Sequence, residues 1–435
     1  MLKGPRAVLG RPLSENLVFR LPSELLLGLA ELHGTPYFLI DEDTLRENAR
    51  RLASAYSGYP GNVSIAYSIK ANFLPVVLRT FWDEGLLFDV ATVEELYFLE
   101  RSVGSVDRSI YTSATQTYVE FSRALSMGVR TFVVGSLNGL RNLARAAENA
   151  GIKADFLIRI NPELEAPAGD RFYKVGKYGV PLVDEDGEDA LALLRLGLEQ
   201  GSLRFRGFHF HVGTQVRSPS KFVRALDRLE ELLAMARVAG IDVDVELIDI
   251  GGGVPVQYED GDPGMDDVVA RVVDRLGELA DRLGGPPDLV VESGRFLTAE
   301  AGILASRVLN VKRYAGIKYA FLDTGYHNLL DAALVGQVYP VRVIPEGGEE
   351  ERVVLAGMLC DSDDVFPLGG RGTLAGVEVG KLVAFGNAGA YSVVFNMPFH
   401  AQPKPPVLFR RSNGEVLVAR PKESLEDLYK EEGGS

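Results

Sequence analysis

Lys70 closes a short apolar, β-branched run, Val63 to Tyr67, and stands just before Pro75 and a segment with helical spacing. An ammonium at the end of a buried strand is costly without a partner, so a lone lysine there ordinarily snorkels to the surface. The other use of such a lysine is as an amine that condenses with a carbonyl cofactor, its pKa pushed down by burial. Residues further along decide between the two. Asp89 ends the next apolar run, and His209 and His211 share one face of a later one. Asp249 precedes Gly251, Gly252 and Gly253, and Glu292 precedes Ser293, Gly294 and Arg295. A triple glycine after a strand leaves backbone N–H groups open to an anion, and a nearby arginine adds charge-assisted donors.

These residues need a frame that gathers strand ends. Eight short apolar runs alternate with helical spacing: Val63 to Tyr67, Leu86 to Val90, Ser109 to Tyr111, Thr131 to Val134, Asp155 to Ile160, Phe205 to His211, Val245 to Ile250 and Leu289 to Val291. Eight is the number a (β/α)₈ barrel requires, and chemistry in such barrels sits at the C-terminal ends of the strands. Phe222, Leu226, Leu229 and Leu233 fall on one helical face, as do Val268, Val272, Leu276, Leu279 and Leu283. Beyond Gly302 the pattern turns to alternating runs with Gly-rich turns, at Tyr319 to Leu322, Tyr339 to Ile344, Arg352 to Leu355, Lys381 to Phe385, Val407 to Arg410 and Glu415 to Val418. The expected organisation is α/β: a barrel over 42–300, and a mostly antiparallel β domain built from 1–41 and 301–435. The run Thr35 to Ile40 is a candidate strand of that second domain.

Composition narrows the partners. The 435 residues, 46% hydrophobic and 24% charged, suffice for two cores, and a net charge of -14 without a basic run argues against nucleic acid and anionic membranes. The one cysteine, Cys360, cannot form an internal disulfide, and Met1 to Gly10 lacks a signal-like apolar core. No apolar stretch is long enough to span a bilayer, so the cytoplasm is the expected location.

An amine, an anion cradle and a strand-end carboxylate in one barrel mouth match the needs of pyridoxal 5'-phosphate: a lysine for the aldehyde, donors for the phosphate, a counter-ion for the ring nitrogen. With these motifs, and with Tyr67 to Asn72, Phe208 to Gln215, Cys360–Asp361 and Gly389–Ala390–Tyr391 in order and spacing, the chain resembles the fold-type III decarboxylases. This is the family of ornithine, diaminopimelate and biosynthetic arginine decarboxylases, with an alanine-racemase-like fold. The resemblance runs from Gly34–Tyr37 to Glu423–Leu428.

The resemblance implies roles. Lys70 carries the cofactor and gives it up to the substrate amine, with Asp89 beside it. His211 stacks on the ring while His209 is a core residue. Glu292 bonds the ring nitrogen. Gly251, Gly252, Gly253, Gly294, Arg295, Tyr391 and Thr214 hold the phosphate, Thr214 standing where the family often has serine. Cys360 donates a proton to the carbon that has lost carbon dioxide, and Asp361, Asp331 and His327 face the substrate. Cys360 and Asp361 reach the neighbouring subunit's site in this family, which implies a homodimer. No metal is implied.

Departures bear on the substrate. Diaminopimelate decarboxylases carry an arginine and a tyrosine where this chain has Asp331 and Val335; the family's common glutamate after the cysteine is here Asp361, and Ser293 replaces a frequent proline. Two aspartates at the substrate's far end favour a cation or hydrogen-bond donor there. The expected reaction is therefore decarboxylation of a small-molecule substrate, an amino acid with a basic, amine-bearing or amide-bearing side chain such as ornithine, lysine, arginine or a conjugated diamino acid. The alternatives are diaminopimelate decarboxylation, a racemase and a non-catalytic regulatory homologue. Fold-related racemases set an arginine against the ring nitrogen, whereas Glu292 favours the stronger electron sink; the retained Lys70, His211, Glu292, Arg295 and Cys360 argue against a non-catalytic role.

Overall fold

The computed structural model describes residues 12–162, 176–184, 187–370 and 372–434; the stretch Met1 to Gly10 lies outside them. The chain forms two compact units. One comprises Ala49–Pro255 and Pro263–Gly294, and the other the N-terminal segment through Asn48, the excursion Val256–Asp262 and the chain from Arg295 onward.

The first unit is a closed parallel barrel of eight strands, β2 (Val63–Ser68), β3 (Leu87–Val90), β4 (Ser109–Tyr111), β5 (Thr131–Val134), β6 (Ala154–Arg159), β7 (Leu203–His209), β8 (Leu247–Asp249) and β9 (Asp288–Ser293), with β9 pairing back onto β2. Helices between strands start and stop where the local chemistry dictates. The helix Val93–Val103 begins with Thr92 accepting the Glu95 N–H and ends at Gly104 in the left-handed region. In the helix Ser220–Val238 the inward stripe is Phe222, Ala225, Leu226, Leu229, Leu232 and Ala236, so Leu232 takes the place expected of Leu233. The helix Met265–Leu283 buries Val268, Val272, Leu276 and Leu279 as its spacing predicts.

The barrel interior is layered with the strand period of two. Ala66, Leu87, Ile110, Val133, Leu157, Leu247 and Val290 pack together as an apolar floor. Two residues further along β3, β6, β8 and β9, on the same face, come Asp89, Arg159, Asp249 and Glu292. In β7 the pairing with β6 slips: Phe156 faces Phe205, but Leu157 faces Gly207. The extra residue, Arg206, is bulged out and pairs with Asp155 and Glu246, and the slip turns Gly207 and His209 inward. Gly207 must be glycine, since a Cβ there would collide with the Leu247 carbonyl.

The second unit holds a ten-stranded, mostly antiparallel sheet. Its hub is β10 (Gly302–Tyr314), which pairs with β1 (Tyr37–Asp41), with β11 (Ile317–Leu322) and with β16 (Leu382–Phe385). The run Thr35 to Ile40 thus joins this sheet, between β10 and β17 (Val407–Arg410). The 13-residue β10 escaped the strand pattern, because its buried half, Gly302–Val308, gives way to the exposed Lys312, Arg313 and Tyr314. The core of this unit joins Leu17, Val18, Leu26 and Leu29 of the N-terminal helices to Leu39, Ile303, Leu382 and Leu408 of the sheet.

Candidate active site

In the barrel unit, β2 ends at Ser68 and Lys70 sits in the following 3₁₀ turn, Ile69–Ala71. The buried Tyr67 hydroxyl donates to the Asn72 carbonyl at 2.8 Å, and Asn72 accepts from the Leu74 N–H at 3.2 Å, so the turn presenting Lys70 is held from both sides. The Lys70 ammonium donates to Asp89 Oδ2 at 2.7 Å; that carboxylate is buried while the lysine side chain is about half exposed (47%). The cost of an ammonium at a strand end is offset by a fixed counter-charge, and the amine still opens to the barrel mouth.

His211 lies beyond the end of β7. Its Nδ1 accepts the Gly252 N–H at 3.1 Å, which places the hydrogen of the neutral ring on Nε2. Burial, with Lys70 and Arg159 nearby and Glu292 opposing, pushes its pKa down to about 4. Glu292, at the end of β9, is buried between two histidines: Oε1 is 3.1 Å from His209 Nε2 and Oε2 is 3.8 Å from His211 Nδ1. Lys70, Arg159, Tyr178, His211 and Glu292 line one cavity of about 620 Å³.

The glycine run serves packing as well as access. Gly251 (φ +65) would drive a Cβ into the Phe210 carbonyl, and one on Gly253 (φ +116) would come 2.6 Å from the Gly213 carbonyl. Both therefore let the β8 loop lie against the β7 loop that carries His211. Thr214 is exposed in that β7 loop, and Gly294 ends the barrel unit.

The remaining expected residues belong to the second unit. Arg295 donates to the Tyr258 hydroxyl at 3.0 Å and to Asp331 Oδ2 at 3.2 Å, and its guanidinium lies 4.8 Å from the Tyr391 ring centre. Asp331, expected at the far end of a substrate, forms a buried ion pair with Arg295. His327, also expected to face the substrate, is 3% exposed and contacts the Asn328 amide at 3.0 Å. Burial pushes its pKa down to about 4, as for a core imidazole. Cys360 and Asp361 lie together on an exposed turn; the Cys360 N–H donates to His400 Nδ1 at 3.3 Å and the Tyr326 hydroxyl to Asp361 Oδ2 at 2.9 Å. The Asp363 N–H and then the Tyr326 hydroxyl hold the Asp361 carboxyl below its usual range.

A family profile described as "Pyridoxal-dependent decarboxylase, pyridoxal binding domain" matches residues 42–299. The chain belongs to the pyridoxal-dependent decarboxylases. This decarboxylase is 33% identical to a diaminopimelate decarboxylase of Actinosynnema pretiosum over 94% of its own length and 92% of the relative's. It superposes on the crystal structure of diaminopimelate decarboxylase from Methanocaldococcus jannaschii with a TM-score of 0.84 at 25% identity, covering 93% of each chain. For the lysine/ornithine decarboxylase of Vibrio vulnificus in complex with putrescine, the TM-score is 0.75 at 26% identity, covering 89% of this chain and 97% of that one. The donor set of the decarboxylase fits its cofactor, pyridoxal 5'-phosphate: an amine for the aldehyde, a flat imidazole and a buried carboxylate face one cavity large enough for a substituted pyridine.

Sequence reasoning passed over three contributors: Arg159, Asp249 as a member of the barrel layer, and Tyr258. The period of two within β6 and β8 marks Arg159 and Asp249 once the floor residues Leu157 and Leu247 are known to point inward. Nothing in the sequence marks Tyr258, whose segment packs with the second unit.

Proposed function

We propose that this decarboxylase removes the α-carboxylate of an amino acid whose side chain ends in an amine or amide, acting as a cytoplasmic homodimer. Pyridoxal phosphate supplies, when bound, the electron sink for the pair left behind as carbon dioxide departs. The protein supplies the rest. Lys70 Nζ, held by Asp89, is the amine that would hold the cofactor through its aldehyde, by condensation with loss of water. His211, neutral, offers a ring face. Glu292 holds the ring nitrogen protonated. Gly251, Gly252, Gly253, Gly294, Thr214, Arg295 and Tyr391 form the phosphate-binding set. Cys360 Sγ delivers the proton that replaces carbon dioxide, and does so, with Asp361, in the site of the partner subunit.

The observation that supports the substrate class is the state of the two aspartates. Asp331 is neutralised by Arg295, whereas Asp361 is half-buried with its carboxyl held below its usual range, leaving one carboxylate to meet a cationic far end. The relatives' names favour a second reading, diaminopimelate, whose far end carries an ammonium that Asp361 would equally meet. Carbon dioxide release measured across ornithine, lysine, arginine, their conjugates and diaminopimelate separates the two. The first reading expects a basic amino acid to have the highest kcat/KM. A preference for diaminopimelate over every basic amino acid replaces it with the second.

A further inference from the structure

The two oxygens of Glu292 have different surroundings: Oε2 lies on the side of His211, and Oε1 lies 3.1 Å from Nε2 of His209. His209 is completely buried, in the layer above the apolar floor, and reaches that layer only through the bulge at Arg206. A carboxylate can only accept, so Nε2 must carry a hydrogen. In a neutral ring Nδ1 is then a bare acceptor, and it has no hydrogen-bond partner among the described residues. A buried acceptor left this way is destabilising, a penalty that a phenylalanine or leucine in the same place would not incur. The histidine is therefore poorly explained as packing.

We propose that His209 is a positioning residue whose Nε2–H anchors Oε1 of Glu292 and so aims Oε2 at the ring nitrogen of the cofactor. The inference rests on the reading of Glu292 as that nitrogen's partner. Asp249 adds to it. One of its oxygens and the facing atoms of His209 and Glu292 all lie within 4.8 Å of one another, and its Oδ1 accepts the Gly251 N–H at 2.8 Å. Burial first, then the charge of Glu292, pushes the Asp249 pKa well above the carboxylate range. Burial likewise, with Arg159, pushes the His209 pKa well below the imidazole range. Both shifts favour the uncharged forms of Asp249 and His209, and Glu292 Oε1 is the partner that the geometry gives the His209 Nε2 hydrogen. Arg159 and Lys70 balance the charges of Glu292 and Asp89 within the same mouth.

The test uses the holoenzyme reconstituted with cofactor labelled with nitrogen-15 in the ring, reading the ring-nitrogen resonance together with kcat and KM. His209→Phe keeps a ring but not the donor. The expected result is a shift toward the unprotonated nitrogen and a fall in kcat of about tenfold or more, the equivalent of one pKa unit at that nitrogen, with KM little changed. His209→Gln, which restores an N–H, should bring both back toward wild type. A normal resonance and kcat in His209→Phe, or a His209→Gln variant no better than His209→Phe, overturns the proposal. Glu292→Gln separates the two layers of the argument. If it moves the resonance and His209→Phe does not, the positioning role fails while the Glu292 reading stands; if neither moves it, both fall. Should His209→Phe not fold, nitrogen-15 histidine spectra of the wild-type holoenzyme decide: the neutral Nε2–H tautomer of His209 from pH 6 to 8 supports the proposal, and an Nδ1–H or doubly protonated ring overturns it.

Discussion

Arg295 and Asp331 form an ion pair, with 3.2 Å between Nη2 and Oδ2 and side chains only 14% and 12% exposed. The pair offsets the charge of Asp331. Counted from the sequence it is an unmatched negative charge for a substrate; in the structure its charge is taken up by the arginine expected at the phosphate.

Asp331→Arg is therefore expected to weaken the protein and not to redirect it toward diaminopimelate. The change sets two guanidiniums face to face in a largely dry place, and breaking such a pair costs on the order of 3–5 kcal/mol. Thermal unfolding and cofactor affinity should both fall, and Asp331→Asn should fall less. A stable Asp331→Arg variant that gains diaminopimelate activity would show that Asp331 does face the substrate.

Lys70→Ala should abolish turnover and leave the cofactor uncoupled from the protein. Borohydride reduction of the wild-type holoenzyme followed by peptide mass spectrometry should find the pyridoxyl group on Lys70. A label on any other lysine sinks the assignment.

Mixing inactive Lys70→Ala with inactive Cys360→Ala should restore part of the activity, because some mixed dimers carry one site with both residues intact. The assay needs a parallel demonstration of subunit exchange. With exchange shown, absence of recovery places both residues in one subunit's site.

His327 should make the protein acid-sensitive. Its folded pKa, about 4, lies below the ordinary value of 6.5, so between these pH values the unfolded state binds the extra proton. The stability is fully present above about pH 6.5 and is lost as pH falls toward 4, by up to about 3 kcal/mol for a shift of this size. His327→Gln should flatten the dependence of Tm on pH over that window. An unchanged slope would mean that other groups carry the acid limb.

Much of this was readable in the chain. Most of the barrel strands announced themselves because they are largely buried on both faces and so read as short apolar runs; β7, with Arg204 exposed and Arg206 bulged out, is the exception. Lys70, Asp89, the glycine run and Glu292 lie at or just past the ends of such runs, where a barrel gathers its chemistry. The helical faces were visible because their period differs from that of the strands. β10 was missed for a local reason: its second half is exposed and charged, and a strand shows a clean alternation only where one face is covered.

Other features depended on distances between parts of the chain far apart in sequence. Whether Asp331 is a free charge or half of a pair depends on Arg295, 36 residues away. Whether His209 faces into the barrel depends on one bulged residue, Arg206, because a one-residue slip moves every later side chain in a strand to the other face. Residue types determined by themselves that this chain could hold a carbonyl cofactor and stabilise a carbanion. Strand register and the pairing of charges decided which carboxylates are free to meet a ligand and which are already occupied, since both are set by contacts that no local pattern encodes.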